Sequence, residues 1–208
     1  MLYTKDLILR DMTEADLAAH LRWELEETEG QLWDGPWEYE GLTAAEREAQ
    51  AYAYVEKLRS RMERTRALPP DARRTTFHIA AKDAPDRAVG WVNAYHIDDA
   101  YTYTAQPGRI AVGIDLPEPA ARGKGWGTQA LAAFAAYLLE TEEEVFLQTW
   151  SGNGRMIHVA EKLGFEVCCR KEGLRLVRGQ RYDGLTFRVT RKQFLTFSAG
   201  CATMSEQT

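Results

Sequence analysis

Six residues of one loop, Arg122-Gly123-Lys124-Gly125-Trp126-Gly127, constrain this 208-residue chain more than any other feature. They lie between an apolar run, Ile110 to Leu116, and an apolar helical pattern, Thr128 to Leu139, which predicts a strand, a tight loop and a helix. Glycine permits positive φ angles and a close approach of backbone to ligand, and a helix N-terminus favours anions. The segment therefore predicts a phosphate site.

Two common phosphate motifs do not fit this loop. A P-loop requires Ser or Thr after Gly-Lys, where this chain has Gly125. The dinucleotide fingerprint requires a sixth-position glycine, which counted from Gly123 is Thr128. The pattern Arg-x-x-Gly-x-Gly, formed by Arg122, Gly125 and Gly127, resembles the pyrophosphate loop of the GNAT superfamily of acyl-CoA-dependent N-acyltransferases. A plain turn, or the loop of another phosphate-binding α/β protein, is the alternative.

A second segment, Asn153 to Phe165, resembles the other GNAT signature, a helix that Asn opens and Leu-Gly-Phe closes. Asn153 is a favourable N-cap, and Gly164 suits the left-handed residue that ends a helix. A capped amphipathic helix explains most of these residues without any function. The order of the two motifs, with a strand predicted from Val145 to Trp150 between them, favours the family.

The beginning of the chain is similar to one GNAT branch, which includes ribosomal-protein N-terminal acetyltransferases and spermidine acetyltransferases. Leu7-Ile8-Leu9-Arg10 and the following Asp11 to Leu17 resemble its first strand and helix, and Gly179 to Gly184 resembles its late hairpin turn. The resemblance implies an α/β fold of mixed α+β type: one domain over residues 1–197, with a mostly antiparallel twisted sheet of six to seven strands, a splayed parallel pair and about four helices. Residues 198–208 are predicted to form a flexible tail.

The pattern of residues predicts the other elements. Thr13 with Asp16, and Thr43 with Glu46, are capping pairs that predict helices over 13–26 and from 43 to about 66. Strands are predicted at 75–81, 89–97, 109–116, 165–177 and 183–190. The segment Gln31 to Gly41, between the first two helices, is rich in aromatic and turn-forming residues.

Composition excludes several classes of function. A net charge of −5 argues against nucleic-acid binding, which requires a basic surface. No apolar run approaches the ~20 residues of a membrane span, and no secretory signal begins the chain, so a cytoplasmic location without membrane partners is expected. Three cysteines and four scattered histidines lack metal-ligand spacing, so neither a metal nor a disulfide is predicted. Open sheet edges are compatible with a homodimer.

The resemblance implies acetyl-CoA as co-substrate and a primary amine as acceptor, whether a small molecule, a polyamine or a protein N-terminus. Its pantetheine arm would follow the Ile110 to Leu116 strand, and backbone N–H groups near Ile114 would hold the thioester carbonyl. Asn153 would contact the pantetheine arm, and three cations would meet phosphates, with a solvated surface charge as the alternative for each. The implied cofactor-binding residues are Ile114, Leu116, Arg122, Gly123, Lys124, Gly125, Trp126, Gly127, Thr128, Asn153 and Arg155.

Two positions depart from the family pattern. Ala111 stands where many relatives carry a Glu base, so Asp115 becomes the first candidate for removing the amine proton, although an exposed strand-end Asp is the alternative. Glu118 and His78 are weaker candidates. Ala160 stands where many relatives carry a Tyr acid, and the predicted substitutes are Ser151, Tyr182 or water.

Trp33, Trp37 and Trp91 are predicted to line the acceptor pocket. For Trp33 and Trp37 the reason is that GNAT enzymes usually form this pocket from the segment between the first two helices. The alternative for the tryptophans of that segment is a hydrophobic lid packed on the core. A CoA-binding sensor or regulatory module without catalysis is the second functional hypothesis. The two alanines favour it.

Overall fold

The structure of the protein, a computed structural model, describes residues 1–196, so the predicted tail lies outside them. Its α-helices are α1 (Glu14–Leu25), α2 (Ala44–Arg66), α3 (Trp126–Leu139) and α4 (Gly154–Lys162), and residues 191–196 are also helical. Its strands are β1 (Leu2–Tyr3), β2 (Leu7–Arg10), β3 (Thr76–Ala81), β4 (Ala88–Ile97), β5 (Tyr103–Thr104), β6 (Arg109–Asp115), β7 (Glu144–Trp150), β8 (Glu166–Val177) and β9 (Gln180–Thr190).

Local capping determines where three of the helices begin, as predicted. Thr13 donates from its N and Oγ1 to the Asp16 carboxylate (2.7 and 2.9 Å), which starts α1. The N of Thr43 donates to Glu46 (2.8 Å) at the start of α2. The side-chain oxygen of Asn153 accepts a backbone N–H (3.1 Å) at the start of α4. Each cap satisfies a donor that the helix itself leaves unpaired.

The chain forms two compact units, and the first comprises residues 1–93 and 114–130. In it β1, β2, β3 and the beginning of β4 form an antiparallel sheet. The start of β4 lies against the end of β6, since a Cβ on Gly90 would overlap the carbonyl oxygen of Asp115. The helices α1 and α2 pack through a buried apolar cluster of Leu17, Val55, Leu58 and Met62.

The second unit comprises residues 94–113 and the chain from 131 onwards. Its strands β6 and β7 are parallel, with Ala111 opposite Phe146, and β7, β9 and β8 continue as antiparallel neighbours. The end of β4 pairs with β5. Ile97, Ala111 and Phe146 form a buried cluster in this unit. The mixed α/β class and its parallel pair are as predicted.

Two details differ from the sequence-based expectations. The two-residue strands β1 and β5 add to the six or seven predicted, since strands this short have no periodicity to detect. The late hairpin turn was predicted at Gly179 to Gly184 but lies at Arg178-Gly179, where φ is 50° and 77°, so β9 already begins at Gln180. Two residues with positive φ form the tight turn that suits a hairpin. Two 3-10 turns, Thr28–Leu32 and Pro36–Glu38, lie between α1 and α2, which agrees with the turn-forming composition of the aromatic segment.

A buried histidine pair lies in the first unit. Nε2 of His20 and Nε2 of His78 are 2.8 Å apart, and the two residues are 1% and 2% exposed. Burial lowers the pKa of His20 to about 3, and the proximity of His78 lowers it further. Burial likewise lowers the pKa of His78 to about 4. At neutral pH both rings are therefore uncharged, and the Nε2–H of one ring donates a hydrogen bond to the Nε2 of the other.

This pair makes the fold sensitive to acid. The unfolded chain takes up protons near the ordinary histidine pKa of about 6.5, whereas the folded pair stays neutral to much lower pH. Stability is therefore fully present above about pH 6.5 and is lost as the pH falls towards the folded pKa values. We expect the urea midpoint of the wild type to fall between pH 7.5 and 5.5 more steeply than that of the double variant His20→Gln/His78→Gln. Parallel curves for the two proteins would contradict this assignment.

Candidate functional site

The glycine-rich loop has the predicted backbone geometry. Gly123 and Gly125 have φ of 72° and 73°, and nothing lies within 4 Å of a Cβ added at either. The N of Gln129 donates to the carbonyl of Gly125 (3.1 Å). The N–H groups of residues 126–128 precede that bond at the beginning of α3, where a helix has no acceptors of its own for them. The loop and the helix start thus favour an anion.

The Arg122 side chain is bound to the protein itself. Its Nε donates to the carbonyl of Leu116 (3.0 Å), its Nη2 to the carbonyl of Pro117 (2.5 Å), and its Nη1 pairs with Glu29. A guanidinium with three such contacts fixes the path of the segment from β6 to the loop. The predicted contact of Arg122 with phosphate would compete with these bonds.

Ile114 and Leu116, two other predicted cofactor-binding residues, pack against the start of α3. A Cβ on Gly127 would lie 3.2 Å from a methyl carbon of Leu116 and 4.0 Å from one of Ile114. The helix start therefore packs directly on these side chains, and glycine at 127 permits the close approach.

The connection between α1 and α2, which includes the aromatic segment, contacts the end of β6 and the residues that follow it at three points. A hydrogen bond joins the carboxyl groups of Asp34 and Asp115. Glu29 pairs with Arg122, and Gly30 lies against Pro117, 3.8 Å from a Cβ added at the glycine to the Cα of the proline. This places Asp34 beside the predicted catalytic residue.

The carboxyl pair has perturbed acidity. Burial raises the pKa of Asp115 well above its usual value, and the negative charge of Asp34 raises it further. Burial also raises the pKa of Asp34, while its hydrogen bond with Asp115 acts in the opposite direction. Asp115 is half-buried and Asp34 is exposed, so the pair is accessible from solvent.

Further titratable groups surround the pair. Burial raises the pKa of Glu24, and the charge of Asp34 adds to the shift. Burial and the nearby carboxylates raise the pKa of Tyr39 and Tyr54, so both phenols keep their protons. Carboxylates bordered by protonated phenols and apolar rings form a surface that attracts cations.

The predicted pocket tryptophans are all half-buried in the first unit. Trp33 and Trp37 lie in the aromatic segment that carries Asp34. Trp91, on β4, stacks on Trp23 with 5.9 Å between ring centroids and lies 4.6 Å from the His20 ring. Their geometry fits both a pocket wall and a lid on the core.

Four of the predicted site residues lie in the second unit. Ser151 Oγ accepts the N–H of Asp183 (3.0 Å), and the Tyr182 hydroxyl donates to Gln180 (3.1 Å). Asn153 is buried at 9% exposure and caps α4, whereas Arg155 is exposed. Ala111 and Ala160 are fully buried.

The two weaker candidates for a base have other partners. Glu118 accepts from Arg22 (2.5 Å), and although burial acts to raise the pKa of Glu118, this hydrogen bond and charge lower it. A carboxylate held in this way is a weak base. His78 belongs to the buried pair with His20.

Sequence reasoning missed Asp34, Glu24 and Tyr54 as neighbours of Asp115. A carboxylate within an otherwise aromatic segment was the one signal for Asp34. Glu24 and Tyr54 lie on α1 and α2 among many charged residues, and no pattern distinguishes them.

Two features are absent from residues 1–196. Their helices include none with an apolar stretch that could span a bilayer. In the same residues, no group of three or more His, Cys, Asp or Glu side chains has the arrangement of metal ligands.

Comparison with known proteins gives a consistent result. A family model described as an acetyltransferase (GNAT) domain matches residues 6–166, whereas no curated protein matches the sequence. Similar solved structures include a GNAT-family acetyltransferase from Bacillus anthracis (12% identity, TM-score 0.65, covering 92% of this chain and 98% of that one). Another is spermidine N-acetyltransferase from Vibrio cholerae in complex with CoA and spermine (15% identity, TM-score 0.64, coverage 92% and 99%). A third is Mycobacterium smegmatis RimJ in complex with CoA-disulfide (18% identity, TM-score 0.63, coverage 89% and 82%).

At these identities the solved structures establish the fold. The family match covers most of the chain and includes both the glycine-rich loop and the helix that Asn153 caps. The chain belongs to the GNAT acetyltransferase family.

Proposed function

We propose that this protein transfers the acetyl group of acetyl-CoA to a primary amine. The observation that carries the proposal is the position of Asp115, a carboxyl with a raised pKa at the end of β6, immediately before the segment that leads to the anion-favouring loop. Acetyl-CoA carries a pyrophosphate, which requires an anion site, and the acceptor amine must lose a proton, which requires a base. The loop would provide the anion site and Asp115 the base.

The loop would bind the pyrophosphate of acetyl-CoA. The N–H groups at the beginning of α3 and the open glycines at 123 and 125 provide donors without steric obstruction. Backbone N–H groups near Ile114 would hold the thioester oxygen as it becomes negative in the tetrahedral intermediate. Such donors typically lower the activation free energy by on the order of 3 kcal/mol.

The carboxyl cluster would bind and activate the amine. The Asp34 and Glu24 carboxylates attract an alkylammonium ion, whose pKa is about 10.4 and which has no lone pair for attack. Asp115 accepts its proton, since its raised pKa makes its carboxylate a stronger base than an ordinary aspartate. The amine nitrogen then forms the C–N bond, the C–S bond breaks, and the departing sulfur takes a proton to give the free CoA thiol.

The proposed donors of the proton that the departing sulfur takes up are the hydroxyls of Ser151 and Tyr182. These hydroxyls already form hydrogen bonds with Asp183 and Gln180. A thiolate is a good leaving group, so water would suffice in their place.

One observation favours a second candidate function. Ala111 and Ala160, at the positions where many relatives carry an acid or base, are fully buried and offer no polar group. A CoA-binding sensor of the same fold would retain the loop and need no base. It predicts tight CoA binding without turnover.

A thermal-shift and thiol-release experiment separates these functions. Saturation of one site at about 100 times its dissociation constant stabilises a fold by about 2.7 kcal/mol. We expect acetyl-CoA to raise the melting temperature and a panel of mono- and polyamines to cause release of CoA thiol. Stabilisation without amine-dependent release would favour the sensor, and no response to CoA would contradict both functions.

Gly125→Asp tests the role of the loop. The added carboxylate would meet the pyrophosphate, so we expect CoA affinity to fall at least about tenfold, since like charges in contact cost several kcal/mol. Gly179→Asp is the matched control because Gly179 has a similar φ (77°) and equally open surroundings. Isothermal titration with CoA measures both. Equal affinity of the two variants would remove the loop from the cofactor site.

Asp115→Asn tests the electrostatic cost of the carboxyl pair. A raised pKa means that stability is full at low pH and is lost as the pH rises through the folded value. We expect Asp115→Asn to melt at a higher temperature than wild type at pH 8, with a difference that narrows towards pH 4. Asp71→Asn, at an exposed position, should leave the melting temperature unchanged. A lower melting temperature for Asp115→Asn than for wild type at pH 8 would show that the Asp34 and Asp115 carboxyl groups do not destabilise the fold.

A further inference from the structure

The exposed face of α2 carries a row of three basic side chains. Lys57, Arg61 and Arg64 are four and three residues apart, so they lie next to one another on one side of the helix. All three are exposed. We call them the basic row. The residues that α2 buries lie on another side of the helix, and they are Ala51, Val55, Leu58 and Met62.

The basic row has no acidic counterpart within residues 1–196. On a helix the neighbours of a side chain are three or four residues away, and none of these neighbours of the row is Asp or Glu. Glu56 and Glu63 each directly precede a member of the row and therefore point about 100° away from it. The salt bridges in this part of the chain do not include the row, whereas Arg59 of the same helix pairs with Glu14.

The stability of α2 does not explain the row. Like charges three or four residues apart destabilise a helix. Positive charge in the last turn complements the helix dipole, which accounts for Arg64. Lys57 and Arg61 precede that turn, where the effect of the dipole has fallen off. Arrangements that cost local stability in this way typically occur at functional sites.

We propose that the basic row binds an acidic segment of a partner polypeptide. The row extends over about 10 Å along the helix. Alternate side chains of an extended chain point to the same side and are about 7 Å apart, so acidic residues at alternate positions reach successive members of the row. The guanidinium groups of Arg61 and Arg64 can each bind a carboxylate through two parallel hydrogen bonds. Docking on the row requires neither CoA nor the proposed acetyl transfer, so it is independent of the proposed function.

The charge of the chain favours a short acidic segment over a nucleic acid. Proteins that bind DNA typically contact about six to ten phosphates, whereas the row offers three basic groups. The whole chain carries a net charge of −5, which repels a long polyanion that extends beyond the row. An acidic peptide segment needs few contacts and ends within the positive surface.

Fluorescence anisotropy with a labelled peptide of glutamates tests the proposal. A peptide of about eight residues spans about 26 Å when extended, which is longer than the row. We expect the wild type to bind it, with affinity falling at least about threefold between about 0.05 and 0.3 M NaCl because salt screens exposed charges. A glutamine peptide of the same length should not bind. The variant Arg61→Glu/Arg64→Glu should bind the glutamate peptide at least about tenfold more weakly, because like charges then meet.

A matched control keeps the change in net charge and moves it away from the row. Lys162→Glu/Lys192→Glu alters two exposed lysines of other helices and should keep the wild-type affinity. Arg61→Gln/Arg64→Gln, which leaves out the repulsion, should bind with an affinity between those of the wild type and the charge-reversed variant. This milder variant decides the question if circular dichroism shows that the charge-reversed variant is unfolded.

Three outcomes would overturn the assignment. Equal binding of the glutamate and glutamine peptides by the wild type would show that the row does not recognise acidic side chains. Equal loss of affinity in the row variants and in the lysine control would show that only net charge matters. Tighter binding of a labelled oligothymidine of the same length than of the glutamate peptide would make the row a nucleic-acid surface instead.

Discussion

The carboxyl groups of Asp34 and Asp115 share a hydrogen bond where β6 ends and the chain turns towards the glycine-rich loop. Two acidic groups in one place repel each other once both are ionised, so the contact persists only if other bonds hold the two segments together. Arg122 supplies those bonds. It donates to the carbonyls of Leu116 and Pro117, which follow Asp115, and it pairs with Glu29, which shortly precedes the aromatic segment that carries Asp34.

Arginine and lysine have different tasks in this unit. Arg10, Arg22 and Arg122 each bind a carboxylate of the protein and thereby fix the positions of helices and loops. Lys5, Lys82 and Lys124, by contrast, remain exposed. A planar guanidinium satisfies several fixed acceptors at once, whereas an ammonium keeps its hydration until a ligand arrives. The division explains why an acidic chain still presents positive charge beside its anion-favouring loop.

Features that depend on neighbouring residues were predictable from the sequence. The capping pair Thr13 and Asp16, the cap at Asn153 and the positive φ of Gly123 and Gly125 all follow from local chemistry. The family resemblance also gave the α/β class and the parallel pair of strands.

Features that depend on contacts between distant segments were not predictable. No periodicity relates Asp34 to Asp115 or His20 to His78, because tertiary packing alone brings these residues together. The structural use of Arg122 was hidden for the same reason, since its position in the loop motif pointed to a phosphate. The hairpin turn was misplaced because Gly184 was taken as a turn residue, whereas it lies within β9 opposite Lys171.

The proposed acetyl transfer depends on Asp115 taking the proton from the amine. The pH dependence of kcat/KM for amine-dependent CoA release, measured for wild type and Asp115→Asn at saturating acetyl-CoA, tests it most directly. If Asp115 is the base for a bound alkylammonium ion, the wild-type profile rises through a carboxyl pKa above the ordinary aspartate value and falls as the free amine loses its proton. The rise should be absent in Asp115→Asn, with a rate lower by about 10²–10⁴-fold. Equal rates and the same profile in the two proteins would show that Asp115 is not the base.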